Sequence, residues 1–242
     1  VSTLLFSPTK AGYANLLNEG FKENVSNFAN PDSPKIYHCG DVMYDNSKYF
    51  ADLAEQKTSI LSDLKLKKED YVLATIHRNN NTDEPERLSA IFEAFIEISE
   101  AHSINIVVPL HPRTSKLLQQ NLAKNIYEKL QANSAIKIIP PVSFLEMTAL
   151  EKNAKLIVTD SGGVQKEAFF FKKPCVILRA QTEWVELVEC GAARLADTEV
   201  SKIKAAFSHY MNQNKLNFPA IFGDGQAADF ICREMISIFN KN

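Results

Sequence analysis

Short apolar runs recur along the chain at 4–7, 36–39, 71–76, 104–110, 136–139, 156–159 and 175–178. Between most of them lie longer segments in which apolar residues return every three or four positions. Residues 85–100 are one example: Leu88, Ile91, Phe92, Phe95, Ile96 and Ile98 form a single stripe, the signature of an amphipathic helix. Strands alternating with helices of this length predict βαβ units and an α/β fold with a mostly parallel, doubly wound sheet. No strongly apolar stretch exceeds four or five residues, so the pattern contains nothing that spans a membrane. The polar, proline-containing stretch 24–35 reads as a linker.

Both ends of the pattern point outward. The run Val1-Ser2-Thr3-Leu4-Leu5-Phe6-Ser7 already resembles a buried strand, and buried parallel strands have neighbours on both sides. Either a disordered start precedes it or an earlier α/β half does, and the covering of parallel sheets on both faces favours the earlier half. Near the other end, Gly223-Asp224-Gly225-Gln226-Ala227 turns into a last helix whose Phe230, Ile231, Met235, Ile236 and Phe239 form an apolar face that needs a partner.

Composition narrows the function. With 242 residues, 45% hydrophobic and 23% charged, the chain can bury a sizeable core. A net charge of −2 lacks the basic face that nucleic acid would require. Cys39, Cys175, Cys190 and Cys232 stand apart without paired metal-ligand spacing, as reduced thiols of a cytoplasmic protein. The pattern gives no metal site.

Candidate chemistry lies after the strands, because open α/β sheets bind ligands outside the carboxyl ends of their strands. The run 71–76 is followed by His77-Arg78 and the polar loop Asn79-Asn80-Asn81-Thr82-Asp83, and the run 104–110 by His111-Pro112-Arg113. The run 156–159 leads into Asp160-Ser161-Gly162-Gly163, and 175–178 into Arg179 with Gln181-Thr182-Glu183. At Ser161-Gly162-Gly163 a strand ends on free backbone N–H groups and a helix start, which together favour an anion. Glycine lets a phosphate approach the backbone, and Glu167 in the following helix can accept from a vicinal diol. Phosphate and diol together describe a nucleotide; a serine N-cap, a tight turn and a surface glutamate describe the same residues without one. Arg78 and Arg179 read either as phosphate contacts or as surface ion pairs, and guanidinium geometry favours phosphate for at least one. His38, His102 and His209 read as structural, and Trp184 as a core residue.

Taken in order, Thr75-Ile76-His77-Arg78, the strand ending at His111, Thr159 to Gln165 with Glu167, Arg179 with Thr182-Glu183, and the turn 223–227 resemble the non-hydrolysing UDP-N-acetylglucosamine 2-epimerases. The resemblance spans the chain. It implies a glycosyltransferase-B-like architecture of two Rossmann-like halves with a UDP-sugar in the cleft and no cofactor. This chain corresponds to the C-terminal half: 1–30 as the last strand and helix of the N-terminal half, 31–222 as the nucleotide-binding domain, and 223–242 as a helix crossing back. The implied reaction eliminates UDP to a glycal and adds it back with the C2 proton on the other face. His77 is then a catalytic donor to the departing phosphate. Arg78, Ser161, Gly162, Gly163, Glu167, Arg179, Thr182 and Glu183 bind UDP or substrate, and His111 is regulatory or substrate-binding. The acid/base carboxylates fall outside this chain, and the full-length protein is expected to be a homodimer.

The chain departs from the familiar pattern in three places. Asn79-Asn80-Asn81 replaces a charged pair, Trp184-Val185 replaces Arg-Pro, and Pro112-Arg113 directly follows His111. Trp184-Val185-Glu186 is closer to relatives that act on a C3-acetamido uronate sugar nucleotide. A glycosyltransferase of the same architecture would share the nucleotide half but carry an acceptor site elsewhere.

Overall fold

The computed structural model describes residues 2–23, 28–213 and 215–239, without the side chain of Phe239. The chain forms two compact units, residues 1–50 with 219–242, and residues 51–218.

In the first unit β1 (Leu4–Ser7) and β2 (Lys35–His38) pair in parallel, Leu4 opposite Lys35 and Ser7 opposite His38. The helix Lys10–Asn18 joins them, and Thr9 caps it by accepting from the Gly12 N–H at 3.1 Å. The closing helix Ala227–Phe239 belongs to the same unit: Phe230 meets Tyr37 edge-on, and the Asp45 carboxylate accepts from the Ala228 N–H at 2.7 Å. Gly40 and Gly223 both have positive φ, and a Cβ on either would stand about 3 Å from the other segment's backbone. Only glycine permits that crossing. Met235 and Ile236 of the expected apolar face are exposed, while the Phe239 side chain lies outside the described residues. Of the expected linker, 24–27 lie outside the described residues, and Asn30 ties the rest into a turn through Asp32 and Ser33.

The second unit is a six-stranded parallel sheet of β3 (Tyr71–Thr75), β4 (Asn105–Pro109), β5 (Ile136–Ile139), β6 (Leu156–Thr159), β7 (Cys175–Ile177) and β8 (Ala193–Leu195). The order β5-β4-β3-β6-β7-β8 winds outward from the centre in both directions, as in a Rossmann-like fold. Every residue of β3 and β6 is buried, which explains why their sequences lack alternation. β8 was not expected: three residues with Arg194 in the middle carry too little apolar signal.

The helix Pro85–His102 shows how pattern becomes packing. Proline suits the first turn, where no N–H partner is needed, and Ser103 ends the helix in the left-handed region at φ 49°. Its Leu88, Ile91, Phe92 and Phe95 are fully buried and share one core with Val72, Ala74, Ile106 and Val108 of β3 and β4. Burying a side chain of this size contributes about 1.5–3 kcal/mol. The core holds β3 beside β6, at the place where the strand order reverses.

Candidate functional site

The centre of the site is the adjacent pair of strand ends, β3 and β6. Thr75 faces Thr159 across the ladder, their hydroxyl oxygens 2.6 Å apart, and both are fully buried. One residue on, Asp160 is also fully buried. Its carboxylate accepts from the backbone N–H groups of His77 (3.0 and 3.1 Å) and Arg78 (3.0 Å) and from Asn81 Nδ2 (3.1 Å). Its carbonyl accepts from Arg78 Nε at 3.1 Å. The loop after β3 is thus fastened to the end of β6 through one carboxylate, which leaves the His77 side chain exposed.

The next residue turns the chain. The Ser161 N–H donates to Thr159 Oγ1 at 2.9 Å, and its hydroxyl caps the helix Gly162–Phe170 by accepting from the Val164 N–H at 3.5 Å. Gly162 sits in the first turn of that helix, where unsatisfied N–H groups and the helix dipole favour an anion. A Cβ there would lie 2.5 Å from Glu183 Oε1, so a carboxylate already rests against this glycine.

Glu183 has a second partner. Its Oε2 lies 2.6 Å from Arg179 Nη1, off the N–H axis, so the pair is joined by charge without an aligned hydrogen bond. Partial burial raises the Glu183 carboxyl, but its own N–H, Arg179 and Arg78 outweigh this and hold it below the ordinary value. Thr182 donates its hydroxyl hydrogen to Gln165 Oε1 at 2.6 Å and accepts from the Trp184 N–H at 3.1 Å. Trp184 is half-buried beside the Lys166 ammonium, 4.5 Å from its ring centre, and not wholly in the core.

Glu167 stands in the second turn of the same helix, half-buried; burial pushes its carboxyl up while Lys166 pulls it down. Behind it is Glu151, on the helix Phe144–Asn153 and only 2% exposed. Burial first, and the charge of Glu167 second, raise the Glu151 carboxyl well above its ordinary value. Its Oε1 has no hydrogen-bond partner among the described residues.

A cavity of about 400 Å³ opens beside the strand ends, lined by His77, His111, Arg113, Pro141, Val142 and Met147 among others. His111 caps the helix Pro112–Asn121, its Nδ1 accepting from the Arg113 N–H at 3.3 Å, and the Arg113 guanidinium pairs with Asp83 at 3.1 Å. His77 and His111 therefore share one wall system.

His77, Arg78, Ser161, Gly162, Arg179, Thr182 and Glu183 gather around the ends of β3, β6 and β7, with Gly163 in the helix start and Glu167 one turn further. Sequence reasoning named Asp160, Asn81 and Gln165 within its motifs but gave them no role of their own. The signal for Asp160 was present, an acidic residue directly after the run Leu156-Ile157-Val158-Thr159, where a buried carboxylate needs partners. Among the described residues no cluster of histidine, cysteine and acidic side chains is arranged to hold a metal. No helix among them is long and apolar enough to cross a membrane.

Comparison with known proteins identifies the family to which the chain belongs. A "UDP-N-acetylglucosamine 2-epimerase homolog" of Methanococcus maripaludis is 42% identical over 229 residues, 94% of this chain and 59% of the relative. The UDP-2,3-diacetamido-2,3-dideoxy-D-glucuronate 2-epimerase of Pseudomonas aeruginosa is 39% identical over 238 residues, covering 98% of this chain and 61% of that one. The crystal structure of the Methanocaldococcus jannaschii UDP-GlcNAc 2-epimerase in complex with UDP-GlcNAc and UDP superposes with a TM-score of 0.81 at 39% identity, over 97% of this chain and 61% of that one. The chain thus spans about three fifths of the length of these relatives. The family described as UDP-N-acetylglucosamine 2-epimerase matches residues 1–236, and the chain belongs to that family.

Proposed function

We propose that this chain is the UDP-binding C-terminal half of a UDP-N-acetylglucosamine 2-epimerase, which interconverts UDP-GlcNAc and UDP-ManNAc by eliminating and re-adding UDP. The observation that carries the reading is the strand-end pair at which the sheet order reverses. There a glycine-rich helix start, His77 and Arg78 stand on either side of one buried carboxylate. In this reading the diphosphate lies on Ser161, Gly162 and Gly163 with Arg78 and Arg179, and the ribose hydroxyls donate to Glu167. Thr182 and Glu183 border the substrate. The cavity shared by His77 and His111 is mostly apolar and takes the base, a flat group that needs few polar partners.

His77 acts on the departing phosphate. Its backbone is fixed by Asp160 and its side chain projects free, so it is preorganised as a donor to charge that develops only in the transition state. The acid/base carboxylates that act at C2 belong to the remainder of the protein. In the division that follows, 1–30 close the N-terminal half, 31–222 bind the nucleotide, and 223–242 return to the N-terminal half. The full-length protein is a cytoplasmic homodimer in this reading, supported by the family resemblance and by the four free thiols.

Calorimetric titration with UDP tests it. The chain should bind UDP weakly, because half the cleft lies elsewhere, and Ser161→Ala and Glu167→Ala should each weaken binding. Unchanged affinity in both variants would remove the site. Full-length protein should incorporate solvent deuterium at C2 of the sugar, and this chain alone should not.

A second reading has its own support. The likeness to the Pseudomonas uronate enzyme, together with Trp184 and Val185 after Glu183, favours a C3-acetamido uronate as the sugar. Relative kcat/KM of full-length protein for the two sugar nucleotides separates them.

A further inference from the structure

Three strand ends contribute to the site, and one group outside it touches the fastening of all three. We propose that Arg87, on the helix Pro85–His102, is a positioning residue that locks the loops after β3, β6 and β7 to one another. The inference rests on the reading that these loops hold the diphosphate.

The geometry is a closed set of hydrogen bonds. Arg87 directs Nε and Nη2 to one acceptor, the side-chain oxygen of Asn81, at 3.1 and 3.0 Å. With its oxygen doubly engaged, the Asn81 amide must turn its NH₂ the other way. That NH₂ donates to the Asp160 carboxylate at 3.1 Å and to the Leu178 carbonyl at 3.0 Å. Asp160 holds the His77 and Arg78 N–H groups, and Leu178 immediately precedes Arg179.

The return path runs through Asp197. Its carboxylate accepts from Arg87 Nη2, and its N–H donates to the Arg179 carbonyl at 3.3 Å. Asp197 is held at φ 48°, in the left-handed region that non-glycine residues rarely adopt. A backbone kept there by contacts on several sides is typical of functional sites.

Arginine is required at position 87 because two parallel donors fix the rotation of the amide as well as its place, whereas a lysine ammonium is a single point charge on a flexible stem. Freed of Arg87, the amide can rotate, and the three loops lose their common reference. A misplacement of this kind weakens ligand binding without removing any residue that touches ligand.

The test uses Arg87→Ala and Arg87→Lys in this chain, with two readouts. Amide hydrogen exchange at His77 and Arg78, without ligand, should accelerate about tenfold in both variants while Val107 and Val158 in the core stay protected. The Kd for UDP should rise about tenfold in both, and methylguanidinium should restore Arg87→Ala but not Arg87→Lys. Exchange at wild-type rates in a folded variant, or unchanged UDP affinity, would overturn the proposal. If Arg87→Ala fails to fold, Arg87→Lys decides, since it keeps a cation beside Asp197. A wild-type chain that does not bind UDP would refute the functional reading instead, and the exchange readout would still judge the lock.

Discussion

Asp160 and Glu151 are both cut off from solvent, at 0% and 2% exposure, and their surroundings are opposite. Asp160 accepts from two backbone N–H groups and an amide, whereas Glu151 has an oxygen with no donor among the described residues. The difference comes from where each stands on the backbone. Asp160 follows a strand, beside a loop whose N–H groups are not used by any ladder. Glu151 lies within the helix Phe144–Asn153, near its end, where the surrounding N–H groups are committed to that helix. The hydroxyl of Tyr71, a neighbour by charge, gives its hydrogen to the Leu150 carbonyl at 2.6 Å and has none for Glu151. A charge is tolerable inside this protein where the sheet ends, and costly where a helix continues.

The sharpest way to break this contrast is to remove the partnered carboxylate. Asp160→Ala orphans three donors at about 1–3 kcal/mol each, so urea unfolding should show a loss of about 4 kcal/mol. A loss below about 1 kcal/mol would mean the acceptor is dispensable. His77 separates backbone from side chain within the same region. In full-length enzyme His77→Ala should lower kcat on the order of 10²–10³-fold with little change in KM, while unfolding stays near wild type because the N–H to Asp160 remains. Near wild-type turnover in both His77→Ala and His77→Asn would make the side chain a prop.

The other carboxylate should respond in the opposite sense. Replacing Glu151 with Gln removes a buried acid without its donor, and should stabilise the chain by about 1–2 kcal/mol at neutral pH. The sign follows from its raised folded value. Its favourable contribution is fully present below the ordinary 4.5 and is lost as pH rises through that higher value. The melting temperature of wild type relative to Glu151→Gln should therefore fall with rising pH, and parallel curves would show that Glu151 does not titrate there. The smallest effect is Ser161→Ala, about 1 kcal/mol of stability for a lost N-cap, read by thermal unfolding.

Much of this was legible before any coordinates. The strands β3 to β7 follow from short apolar runs, and the helix Pro85–His102 from its amphipathic stripe. Their ends located His77, Arg78, Ser161, Gly162 and Arg179 by position alone. What stayed hidden depends on contacts distant in sequence. Asn81 and Asp160 are 79 residues apart and Arg87 and Asp197 110, and no local pattern links them. β8 escaped because Arg194 interrupts its three residues and leaves no apolar run, and Trp184 seemed interior because an indole near a lysine distant in sequence has no sequence signature. Glu151 was invisible for a simpler reason: an acidic residue near the end of a helix ordinarily faces water.

The carboxylate of Glu183 against Gly162 makes this helix start behave like an ion-exchange resin supplied with its own counter-ion. In the proposed function a diphosphate arriving there would have to displace Glu183 from Gly162 and Arg179, so its affinity would measure a preference between two anions and not the strength of one. A singly charged carboxylate offers no advantage over the one already present, whereas a doubly charged phosphate does. Selection between valences would then precede any recognition of shape.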